Sequence, residues 1–99
     1  MKEPTFRISR KAFLDLEDIW TYTAKRWPIA QADRYHRLLL DEVEYLGSNP
    51  NAGKSADHIK PNYRLSVVKS HLVFYRFDKI LPIEIIRVLH QKMNVENRL

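Results

Sequence analysis

Two amphipathic repeats meet at a single proline, and that junction restricts the fold more than any other feature of the chain. Leu16, Ile19, Trp20, Thr23 and Trp27 recur at helical steps, and Ala12 extends the stripe backwards. Asp15, Glu17, Asp18, Lys25 and Arg26 lie mostly off that stripe. After Pro28 the pattern resumes with Ala32, Tyr35, Leu39, Val43 and Leu46, widened by Leu38 and Leu40, while Asp33, Arg37, Asp41 and Glu44 take the wet side. Proline disfavours helical geometry at Trp27, yet it suits the first turn of a following helix. Two helices joined by almost no loop must fold back as an antiparallel hairpin. Ser9 is the predicted N-cap of the first, and Gly47 stands where the residue after the C-cap of the second is expected.

Strand signals flank this hairpin. Residues 5–9 alternate polar and apolar with β-branched side chains, which predicts a short first strand. Three further strands are predicted at 63–69, 72–78 and 83–90, separated by turns at Ser70 and at 79–82, and short turns imply an antiparallel meander. Between hairpin and meander, residues 48–62 are rich in turn formers and show no periodicity, so they are expected to form a long loop of functional or partner-ordered character. The order β-α-α-β-β-β predicts an α+β fold, with the N-terminal helical hairpin packed on one face of an antiparallel sheet. The other face is then expected to lie open, and function is sought there.

Ninety-nine residues make one domain, 1–99, with 44% apolar and 29% charged residues. Cysteine is absent, which excludes a disulfide scaffold, a thiol nucleophile and a thiolate zinc site. The longest apolar runs are too short to cross a bilayer, and residues 1–6 lack an apolar signal region, so a cytoplasmic protein with no membrane partner is expected. The net charge of +5 arises entirely in residues 51–99, where nine Lys/Arg face four Asp/Glu. Such asymmetry suits an anionic partner, either nucleic acid or an acidic protein, and equally a solvated basic surface.

Four histidines are the first candidates for chemistry. His36 reads as a partly exposed helical residue, and His58 has no further ligands at metal-binding spacing; no cofactor and no metal site are expected. A metal-independent nuclease would need a base, an acid and a cation at the phosphorane, which makes His71, His90, Arg64 and Arg87 its candidate residues. Strand parity argues against a compact site, because Arg87 and His90 differ by three and point to opposite faces unless a bulge intervenes. The alternative is that Arg64, His71 and Tyr75 hydrogen-bond within the sheet. Gly47 and Gly53 cannot form a phosphate loop, and no serine sits in a nucleophile elbow.

The segments Ala12-Phe13-Leu14-Asp15-Leu16-Glu17-Asp18-Ile19-Trp20-Thr21-Tyr22, Gln31-Ala32-Asp33-Arg34-Tyr35 and Leu46-Gly47-Ser48-Asn49-Pro50-Asn51-Ala52-Gly53-Lys54 resemble ParE toxins of the RelE/ParE superfamily. The resemblance continues through Tyr63-Arg64, Ser70-His71-Leu72-Val73-Phe74-Tyr75-Arg76 and Arg87-Val88-Leu89-His90-Gln91-Lys92-Met93, and so covers about residues 6–94. It implies the toxin of a type II toxin–antitoxin system, of the kind associated with plasmid stabilisation, in a hetero-oligomer with an acidic ParD-like antitoxin. ParE members are described as poisons of DNA gyrase, whereas RelE-like relatives cut mRNA on the ribosome. Fold alone does not separate them. The ribosome-dependent relatives usually carry a tyrosine or basic cluster at or beyond the last strand, and this chain has no tyrosine after Tyr75. That departure favours a gyrase-binding toxin with no catalytic residues of its own over an mRNA interferase or a non-toxic binding module. The resemblance then implies Arg64, His71, Tyr75, Arg87, His90 and Met93 as target contacts. Trp20, Trp27 and Tyr35 are the antitoxin-binding candidates wherever they are not core.

Overall fold

The computed structural model describes residues 3–99. Strand β1 (Phe6–Ile8) leads into helix α1 (Arg10–Arg26), which is followed by α2 (Ile29–Ser48), a two-residue strand β2 (Lys54–Ser55), β3 (Arg64–Val68), β4 (His71–Phe77) and β5 (Ile83–His90). A short 3-10 turn, Val95–Asn97, closes the described chain. Ser9 caps α1: its Oγ accepts from Ala12 N at 3.0 Å and donates to the Ile86 carbonyl at 2.8 Å, joining helix start to sheet. Pro28 separates the helices as its geometry requires.

The sheet has five strands in the order β1-β5-β4-β3-β2. It is mixed and not wholly antiparallel, because β1 runs parallel to β5, with Phe6 opposite Ile83 and Ile8 opposite Ile85. The short turns of the meander dictate pairing only between consecutive strands; β1 is separated from the meander by the hairpin and takes the free edge of the last strand. Gly47 also differs from expectation. It lies within α2, has no positive φ, and is buried where an added Cβ would stand 2.4 Å from Thr5 Oγ1. Its missing side chain lets α2 meet the residue preceding β1.

Both sheet faces carry a core, which corrects the expectation of an open face. On the helix side Ala12, Leu16, Leu39, Val43 and Leu46 pack on Val73, Tyr75, Ile83, Ile85 and Val88. On the opposite side Phe74 and Leu89 are 0% and 1% exposed, covered by Ala56, Ile59 and Tyr63 from the 48–62 segment and by Val95 and Leu99 from the C-terminal segment. The segment read as a partner-ordered loop is thus ordered by its own sheet. It contributes β2, paired antiparallel to β3, and Tyr75 Oη ties it down by donating to the Pro50 carbonyl at 2.8 Å and accepting from Gly53 N at 2.9 Å.

Candidate functional site: a cationic cleft beside the helical hairpin

With both faces covered, a concavity lies at one end of the layers. A cleft of about 1130 Å³ opens between the end of the hairpin and the β4–β5 end of the sheet. His71 and His90 face each other across the β4–β5 ladder, with ring centroids 5.2 Å apart in an edge-to-face arrangement. Tyr35 of α2 approaches from the other layer, its Oη 2.6 Å from His71 Nδ1. Burial raises the Tyr35 phenol above its ordinary value, so it stays protonated near neutrality. Burial, and secondarily the neighbouring His90, lowers His71 below the usual 6.5.

That depression has a sign. A histidine with a lowered folded value takes up protons more readily once unfolded, so its contribution to stability is complete above about pH 6.5 and lost as the pH falls below it. Thermal denaturation at pH 7.5 and at pH 5.5 checks this. The midpoint is expected to drop on acidification, and to drop less in His71→Asn.

Arg87 borders the same cleft, and each of its three guanidinium nitrogens makes a hydrogen bond. Its Nε and Nη2 each donate to the Asp15 carboxylate at 2.8 Å, and Nη1 donates to the Arg98 carbonyl at 2.7 Å. Asp15 Oδ2 also accepts from Val88 N at 3.0 Å, satisfying the edge of β5 beyond the reach of β1. The pairing raises Arg87 above its ordinary value. One register irregularity occurs between β4 and β5, where Phe74 faces Arg87 and Tyr75 faces Ile85. The extra residue, Ile86, precedes Arg87 and leaves the three-residue parity from Arg87 to His90 intact. Both residues border the cleft nonetheless, because the Arg87 side chain reaches round the β5 edge to α1. Parity alone was therefore a poor argument against their proximity.

The rim combines apolar surface and free charge. Trp27 is 56% exposed, Tyr22 59% and Met93 42%. Arg34, Lys69, Lys92 and Arg98 add four cations, and none of them is in an ion pair among the described residues. Lys69 holds φ at 55°, the left-handed region, at a cost of about 1 kcal/mol for a residue with a Cβ. With Asp15 neutralised by Arg87, Asp18 is the remaining carboxylate of the lining.

Six of the residues singled out in the sequence therefore meet here: Trp27, Tyr35, His71, Arg87, His90 and Met93. Three do not. Tyr75 is fully buried and has no surface to offer a target. Arg64 borders a separate, smaller cleft and braces the 48–62 segment by donating to the carbonyls of Asn51, at 3.0 Å, and Gly53. Trp20 is half-buried on α1 and donates from Nε1 to Asp33 of α2 at 2.9 Å, locking the hairpin. Sequence reasoning missed Asp15, Arg34, Lys69, Lys92 and Arg98. Asp15 was legible only as an acid off the apolar stripe, since its partner stands 72 residues away.

The layered α+β architecture carries a cationic, aromatic-rimmed cleft. The chain matches the family model for the ParE toxin of the parDE type II toxin–antitoxin system over residues 6–95. It is 43% identical over 94 residues to the toxin ParE1 of Caulobacter vibrioides, covering 95% of this chain and 96% of that one. The toxin ParE1 of Mycobacterium tuberculosis is 38% identical over 94 residues with the same coverage, and the toxin ParE of Escherichia coli 27% over 92 residues. The chain belongs to the ParE toxin family. Its fold matches that of a chain from the chromosomal ParDE system of P. aeruginosa with a TM-score of 0.76 at 20% identity, over 86% of this chain and 92% of that one.

Proposed function

We propose that this toxin acts by binding DNA gyrase and stabilising its cleaved-DNA state, and that a ParD-like antitoxin neutralises it in a hetero-oligomer. The observation that carries the reading is the engagement of Arg87. A nuclease needs a cation whose donors are aimed at the charge developing on the phosphorane, and each of the three nitrogens of this guanidinium is already aimed at Asp15 or the Arg98 carbonyl. What the cleft offers instead is exposed aromatic surface ringed by positive charge, a surface suited to docking. Purified toxin is expected to inhibit gyrase supercoiling, with activity restored by added antitoxin. Unchanged supercoiling at saturating toxin counts against the proposal.

One observation favours a second reading, a ribosome-dependent endoribonuclease. Two imidazoles and a phenol stand together in a cationic cleft, and a neutral His71 is competent as a base. Toeprinting on translating ribosomes separates the two: codon-specific cuts support cleavage, and their absence removes it.

The docking reading makes Trp27 an anchor. Trp27→Ala is expected to weaken antitoxin binding by about 2 kcal/mol, or roughly thirtyfold, as titration calorimetry would measure. The melting temperature should stay unchanged, because the ring is more exposed than buried.

A further inference from the structure

The C-terminal segment is fastened to the sheet by few bonds, and one of them depends on protonation. Lys92 N donates to His90 Nδ1 at 3.1 Å. A backbone amide can only donate, so Nδ1 must present a lone pair and the ring must be neutral with its proton on Nε2. Nearby, Gln91 N donates to the Ser70 carbonyl at 2.8 Å and Met93 N to the His90 carbonyl at 3.0 Å. Further along, Val95 and Leu99 pack on the second-face core, and the Arg98 carbonyl accepts from Arg87. The segment is a strap with a root at His90 and a buckle at Arg87.

We propose that His90 is a proton-sensitive latch at the root of this strap, and that acidification releases the Lys92 amide and loosens the adjoining wall of the cleft. A proton on Nδ1 removes the acceptor and turns an N–H toward the N–H of Lys92. The surroundings give the new charge little support. Tyr35 and Arg34 of α2, Lys69 of the β3–β4 turn, and Lys92 and Arg98 of the strap line the same cleft. From β4 comes His71, and from β5 Arg87, which already holds Asp15; Asp18 of α1 is the other acid of the lining. Cations outnumber free carboxylates, so the charged ring gains by turning outward to solvent. Because Met93, Lys92 and Arg98 line the cleft, loosening the root changes the shape of the docking surface while the Arg87 buckle retains the end of the strap.

The test is residue-resolved amide exchange by NMR on the full chain at pH 7.5 and pH 5.5, corrected for the intrinsic pH dependence. Lys92 protection is expected to fall about tenfold at the lower pH. In His90→Asn the amide oxygen stands near the Nδ1 position and does not titrate, so protection should be equal at both pH values. The His90 ring nitrogens give a measurement that needs no variant: they should report the Nε2–H form at pH 7.5 and titrate with the midpoint of the Lys92 change. Constant Lys92 protection in the wild type overturns the latch. So does a fall that persists in His90→Asn, or a midpoint that follows His71 and not His90.

Discussion

Replacing Asp15 with alanine is expected to cost about 3 kcal/mol of folding stability. The side chains of Asp15 and Arg87 are only 12% and 15% exposed, so the pair is shielded from screening. Removing the carboxylate leaves a guanidinium without its partner and Val88 N–H without an acceptor, at the stretch of β5 edge that β1 does not reach. Both losses carry a desolvation cost that a surface ion pair would not. Asp15→Asn keeps an acceptor for Val88 and should lose less. Urea denaturation of Asp15→Ala, Arg87→Met and the double variant measures the coupling directly. A double variant less destabilised than the sum of the singles is expected; strict additivity would contradict the account of Arg87 as a bound structural cation.

Phe74→Ala is expected to destabilise the protein by about 4 kcal/mol, comparable to a truncation in the core under the helices. This follows from the second hydrophobic cluster, in which Phe74 is completely buried under Ala56, Ile59 and Tyr63. If that sheet face were open to solvent, the same substitution would change the denaturation midpoint little. For a domain of this size the expected loss corresponds to a fall in melting temperature of roughly 16–32 °C. Differential scanning calorimetry decides between a covered face and a bare one.

What could be read in advance follows the range of the interactions. The hairpin was legible because its signals are local: helical periodicity on each side of Pro28 and a hydroxyl at Ser9 positioned to cap. The β3–β4–β5 meander was legible for the same reason, as alternating side chains and short turns report on neighbours in sequence. The parallel partnership of β1 with β5 was not, since Phe6 meets Ile83 across nearly the whole chain and nothing local selects that edge. The second core was missed because residues 48–62 lack periodicity. Ala56, Ile59 and Tyr63 cover Phe74 as an irregular segment, which leaves no repeat to detect. At the cleft, residue types predicted His71, His90, Tyr35 and Trp27 as notable without predicting that they converge. Arg64 and Tyr75 looked equally functional, and they turn out to brace the 48–62 segment. Arg and Tyr serve binding and bracing alike, and only the positions of their partners tell the two apart.

The claim on which the account turns is that the cleft docks a partner and breaks no bond itself. Cells in which the toxin is induced without antitoxin provide the most direct measurement, with gyrase–DNA covalent complexes and newly formed mRNA 5′ ends quantified from the same culture. Covalent complexes are expected to accumulate in step with toxin level while mRNA ends match the uninduced profile. Codon-phased mRNA cuts with no rise in gyrase-linked DNA would contradict that claim.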